Sequence, residues 1–138
     1  MSRRIVLVQG THGRDSEWWQ TGLAEAMRRR GYAFNTEPFV WDTDLDGIFG
    51  RNDGWEAAGF ALKWYVAAWN CFASAMPLVV VTHSHGGNVA AYALRAGMKI
   101  HHLITITMPV RKDMEACYKA ASKNTDRWTH IHSDNDLM

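Results

Sequence analysis

The segment Leu78 to Gly97, LVVVTHSHGGNVAAYALRAG, constrains the fold more than any other stretch. Leu78 to Val81 is apolar at every position, the pattern of a strand covered on both faces, whereas a strand with one wet face alternates. THSHGG follows as a tight turn, and Asn88 to Ala96 reads as a helix stopped by Gly97. A doubly buried strand that runs directly into a helix belongs to a parallel sheet, because parallel neighbours need a long crossover and the crossover helix supplies the cover.

The rest of the chain repeats that alternation. Ile5 to Val8 is a second apolar strand, QGTHGRDS a glycine-bearing turn, and Glu17 to Arg30 a helix with Trp19, Leu23 and Met27 on one stripe and Gly31 at its stop. Tyr32 to Trp41 reads as a strand, and the aspartates and glycines of 42–52 as a loop. A long helix is expected from Asp53 to Met76, with Asp53 as N-cap, Glu56 three residues on, and Leu62, Val66, Trp69, Phe72 and Met76 at helical spacing. Its opposite flank, through Ala61, Trp64, Tyr65 and Ala68, is also apolar, which predicts packing on both sides. Strands at Leu103 to Thr107 and Trp128 to His132 flank a helix around Met114 to Ser122. The expected class is α/β, a predominantly parallel sheet with helices on both faces, in one domain over 1–138.

Composition narrows the function classes. The 138 residues carry 15 Lys+Arg against 14 Asp+Glu, a formal charge of +1, so no broad basic surface invites nucleic acid. The two cysteines, Cys71 in the long helix and Cys117 in a polar stretch, form neither a disulfide framework nor a CxxC site and are expected as free thiols. The apolar run after MSRR ends at Gln9, too short for a signal peptide, and no run approaches a membrane span, so the expected location is cytoplasmic. No Rossmann or P-loop glycine pattern occurs, and no cofactor is expected.

Ser84 carries the chemistry. It stands between a buried strand and the N-terminus of a helix, where an oxygen is lifted clear of the sheet and the helix end favours developing negative charge. The backbone N–H of His85 would donate to an oxyanion, and a second donor is expected in the loop after the first strand, at Thr11 following Gly10. His12, His83 and His85 are the nearby imidazoles. Gly10, Gly86 and Gly87 are read as turn or close-approach residues.

The stretch Thr82-His83-Ser84-His85-Gly86, with Thr82 in place of the first glycine of Gly-x-Ser-x-Gly, resembles the nucleophile elbow of the α/β-hydrolase fold, in particular its lipase and esterase-like members. The resemblance runs over nearly the whole chain, with Gln9-Gly10 at the family's His-Gly after its third strand. It implies five strands in the order 4-3-5-6-7 of the larger fold. It also implies Asp136 as the triad acid, with Asp134 as the nearby alternative. The family's histidine follows a further strand, and this sequence ends at Met138. The expected architecture therefore lacks the C-terminal strand, the catalytic-histidine loop and the final helix. The implied activity is hydrolysis of a small-molecule or lipid ester through an acyl-enzyme, conditional on a supplied histidine, with His12 and Asp134 as the alternative base and acid.

Two other readings compete. A catalytically inactive hydrolase-fold fragment or interaction module would use the apolar long helix and an open sheet edge in a homo-oligomer or with a complementing chain. A metal-dependent hydrolase is suggested by the partial likeness of THSHGGN to the His-x-His-x-Asp-His motif of the metallo-β-lactamase fold. Gly87 and Asn88 stand where two of its ligands should be, leaving His130, His132, His101 or His102 and Asp134 to complete a site.

Overall fold

The apolar runs of the sequence become the middle of a parallel sheet in the computed structural model, which describes residues 4–8, 17–31, 39, 52–73 and 77–132. Strands β1 (Arg4–Val8), β2 (Leu78–His83), β3 (Ile100–Ile106) and β4 (Thr125–Ile131) lie side by side in that order, all parallel. Phe39 forms a parallel bridge to Val8 on the other edge of β1. Of the expected 32–41 strand, Phe39 alone is among the described residues. The sequence of neighbours is thus Phe39, β1, β2, β3, β4, the order expected from sequence.

The helices are α1 (Glu17–Arg29), α2 (Asn52–Ala73), α3 (Gly86–Arg95) and α4 (Glu115–Ser122), the last preceded by a 3-10 turn at Lys112–Met114. Crossover handedness distributes them. The step from β1 to Phe39 moves one way across the sheet, and every later step moves the other way, so right-handed crossovers put α1 on one face and α2, α3 and α4 on the opposite one. The buried side chains follow this division. Ile5, Leu7, Val79 and Val81 pack with Leu23 and Met27 of α1. Val6, Val8, Leu78, Val80 and Leu103 pack with Trp55, Leu62 and Val66 of α2, with α3, and with Met114, Cys117 and Ala121. Alternation along each strand sends successive residues to opposite layers, and each fully buried Val or Leu contributes about 1.5–3 kcal/mol.

Several boundaries depart from the sequence reading for one reason, that backbone pairing extends beyond apolar side chains. Strand β3 starts at Ile100, before the polar His101-His102 pair, and β4 starts at Thr125 rather than Trp128. His101 is accommodated because its Nδ1 accepts the Leu78 N–H at 2.9 Å. Helix α2 begins at Asn52, placing Asp53 inside the first turn, and α3 begins at Gly86. Gly31 and Gly97 take positive φ (83° and 111°) after α1 and α3, as helix-stopping glycines do. Cys117 sits in the core of α4, not in a polar stretch, and is a free thiol whose pKa burial pushes up. On α2, Trp55, Ala58, Leu62 and Val66 form the buried stripe, while Phe60 and Trp64 are 49% and 66% exposed. The side chains of Trp19, Trp69, Phe72 and Met76 lie outside the described residues.

Candidate functional site

The chain reverses its direction of travel across the sheet at β1, so the C-terminal ends of β1 and β2 form the topological switch point, where open parallel sheets bind ligands. Ser84 stands at the end of β2. Its N–H still donates to Ile106 O at 2.9 Å, as a strand residue does, and its carbonyl already accepts the Gly87 N–H at 3.1 Å, as a helix start does. A single residue makes that change, with φ of 54°. A non-glycine residue in this region costs about 1–2 kcal/mol, and a strained strand-to-helix turn is the arrangement that presents a serine oxygen above a sheet. His85 follows in ordinary right-handed conformation (φ −65°, ψ −9°) as the residue capping α3. The left-handed residue is Ser84 itself, so the two glycines serve a different purpose from turning the chain. At Gly87 a Cβ would lie 2.5 Å from Met108 Sδ, so glycine lets the strand β3 exit pack onto the helix start.

A second residue of the same kind stands beside it. Thr107, at the end of β3, has φ of 49°, unusual for a β-branched side chain. Its N–H donates to Ile131 O at 2.8 Å and its hydroxyl to Ile106 O at 2.8 Å. Nothing in the sequence marked Thr107. Two neighbouring strands therefore end in strained residues on the same rim.

Behind Ser84 lies a polar web. Asn88, fully buried on α3, accepts from the Tyr118 hydroxyl at 2.7 Å, donates to Pro109 O at 3.2 Å and stands 3.0 Å from His85 Nδ1. Tyr118 in turn accepts the Arg111 N–H at 3.2 Å, and burial raises its pKa. The His85 ring stacks on Trp55 with centroids 4.3 Å apart and planes 21° apart, and the Arg111 guanidinium sits 5.2 Å from the Trp55 ring. Arg111 is held by Asp113 at 2.9 Å. The sequence offered one clue to Asn88, a polar residue inside an otherwise small and apolar helix, and none to its partners Pro109 and Tyr118. His83 lies, by alternation, on the α1 face with Val79 and Val81, and burial lowers its pKa.

Of the residues singled out from sequence, Ser84, His83, His85, Gly86 and Gly87 come together here. Gly10, Thr11, His12, Asp134 and Asp136 lie outside the described residues. The histidines of β3 and β4 do not gather as a metal site would require. His101 is tied to Leu78, His102 Nε2 contacts Thr129 Oγ1 at 2.8 Å, and His130 Nδ1 contacts Thr105 Oγ1 at 2.9 Å while its ring stacks on His132. Among the described residues no three His, Cys, Asp or Glu side chains converge. None of the described helices is long and apolar enough to cross a membrane. Comparison with protein-family models, with curated proteins and with solved structures returns no match.

Two polar atoms next to this site are buried and have no hydrogen-bond partner among the described residues, Thr82 Oγ1 and Trp55 Nε1. An unpartnered buried hydroxyl costs about 1–3 kcal/mol. Thr82→Val keeps the branched shape and removes the hydroxyl, so the variant is expected to gain about 1 kcal/mol in urea unfolding with an unchanged m-value. A loss of stability would mean that the hydroxyl has a partner in solution.

Proposed function

We propose that this chain is a serine hydrolase of the lipase and esterase type, acting on an ester through an acyl-enzyme on Ser84. The observation that carries the reading is the left-handed Ser84 at the switch point, directly before the N-terminus of a buried helix. Ser84 Oγ attacks the ester carbonyl while a histidine takes its proton. The oxyanion is held by the His85 N–H and by the N–H of Thr11, the protonated alcohol departs, and water then releases the acid and restores the hydroxyl. Asp136 is the acid that would orient the histidine, with Asp134 as alternative. The substrate is a small-molecule or lipid ester, and the proposed setting is the cytoplasm.

The test is intact mass after exposure to a small fluorophosphonate, with peptide mapping. Displacement of fluoride by Ser84 Oγ leaves an adduct of the probe minus HF. One adduct per chain at Ser84, lost in Ser84→Ala, is the expected result. No adduct on a folded chain removes the reading of this chain as a competent hydrolase. The exposed Phe60 and Trp64 on α2 favour the second reading, a hydrolase-like module whose role is association with another chain.

A further inference from the structure

The end of the sheet opposite Ser84 holds a cavity of about 340 Å3 where β3 and β4 begin, lined by Lys99, Ile100, His101, Lys123, Asn124 and Asp126. Small-molecule sites run from about 300 to 1,000 Å3 and are mostly apolar, so a cavity at the lower end with a charged lining suits a small polar ligand. Its frame is fixed by hydrogen bonds. Asn124 donates its side-chain amide to Leu94 O at 2.7 Å and accepts the Ile100 N–H on its backbone carbonyl at 3.1 Å, which ties the end of α3 to the start of β3. The His101 ring is pinned to β2 by the Leu78 N–H at 2.9 Å. The charged groups, by contrast, are not spent on the fold. The ion pairs among the described residues are Arg29–Glu25, Arg95–Glu56 and Arg111–Asp113, and Lys99, Lys123 and Asp126 join none of them although all three line one cavity. Lys123 follows the last residue of α4, where a cation suits the helix end, but Lys99 lies beyond the Gly97 stop on the way into β3 and has no such reason to be there.

We infer that this cavity is a binding site for a small soluble phosphate monoester that also carries a hydroxyl or an amine. Two ammonium groups on one cavity match the charge of about −1.5 to −2 that a phosphate monoester carries near pH 7, and the contacts they make are charge-assisted. The Asp126 carboxylate can only accept, so it repels a bare anion and favours a ligand that presents a donor beside its phosphate. Opposite charges that share a cavity without pairing leave space for such a ligand between them. The site stands on its own residues and does not depend on the reading of Ser84.

Amide NMR of the 15N-labelled chain tests the inference, with inorganic phosphate and glycerol phosphate as probes, each against sodium chloride at equal ionic strength. Glycerol phosphate is expected to move the Ile100, His101, Asn124 and Thr125 signals along a saturable curve with a Kd of about 1 mM, and inorganic phosphate to bind more weakly. Lys99→Gln combined with Lys123→Gln is expected to weaken both about tenfold. Asp126→Asn should act in the opposite direction on inorganic phosphate, tightening it about threefold, and should remove the advantage of glycerol phosphate. Arg29→Gln with Arg30→Gln makes the same change of net charge at the end of α1 and is expected to leave both affinities as they were. Shifts that do not saturate, or that persist unchanged in the lysine variant, mean an adventitious ion only and overturn the inference. Equal weakening by the arginine variant would show unspecific attraction and overturn it as well. Vesicles of phosphatidic acid in phosphatidylcholine are expected to leave the chain in the supernatant, and co-sedimentation that the lysine variant loses would overturn the assignment to soluble compounds in favour of a lipid headgroup.

Discussion

Ser84→Gly is expected to give a chain that is more stable than the original by about 0.5–1 kcal/mol and no longer reacts with a fluorophosphonate. The stability term follows from φ of 54° at Ser84. A side chain in the left-handed region costs about 1–2 kcal/mol, which glycine escapes, and glycine's greater freedom in the unfolded chain offsets about 0.5–1 of it. No hydrogen bond of the hydroxyl to the described residues opposes the change, while both backbone bonds, to Ile106 O and from Gly87 N–H, survive it. Ser84→Ala separates the two effects, because it removes the proposed nucleophile but keeps Cβ and hence the strain. The pair should differ in urea midpoint, Gly above Ala, and agree in failing to label. A glycine variant no more stable than the alanine one would show that the turn is not strained. Strain retained at a serine where glycine would fold better is what the proposed role of the Ser84 oxygen would require.

The sequence made this position legible because strand, turn and helix are all local patterns. Four apolar residues, two glycines and a run of small residues locate the end of β2 and the start of α3 without knowledge of the rest. The same locality explains Gly31 and Gly97 as stops and the division of β1 and β2 residues between two layers. What stayed hidden depends on contacts between distant elements. Asn88 meets Tyr118 thirty residues later, and Trp55 meets His85 from the other side of the site. No periodicity announces such pairs. Polar strand starts were missed for a related reason: His101 is tied to β2 through its ring nitrogen and Thr125 pairs with Ile100 through the backbone, and the apolar pattern is blind to both. Thr107 was invisible because its residue type argues against its conformation.

The close approach of α2 and α3 was equally illegible, and it supports the second large effect. Gly59 lies in the middle of α2, where alanine would ordinarily favour the helix by about 1 kcal/mol. A Cβ there would sit 2.7 Å from Tyr92 Cβ, 2.9 Å from Ala93 N and 3.0 Å from Val89 O. Two of these neighbours are backbone atoms of α3 and the third is the root of a side chain, so none can swing aside, and the helices must separate. Separation loosens the layer that contains Trp55, Leu62, Val89 and Leu94, all buried. Overpacking of this kind costs about 1–3 kcal/mol, at its upper end when backbone has to move, so Gly59→Ala is expected to destabilise by about 1–2 kcal/mol after the helix preference is counted. Because α3 starts next to Ser84 and α2 carries the Trp55 on which His85 stacks, the same variant should also slow labelling of Ser84. Gly87→Ala is the comparison. Its Cβ would meet the Met108 thioether, a flexible group that can turn away, so the stability cost should be smaller than at Gly59. Urea midpoints of the two variants decide the matter, and a Gly59→Ala chain at least as stable as the original would mean that α2 and α3 do not approach this closely in solution.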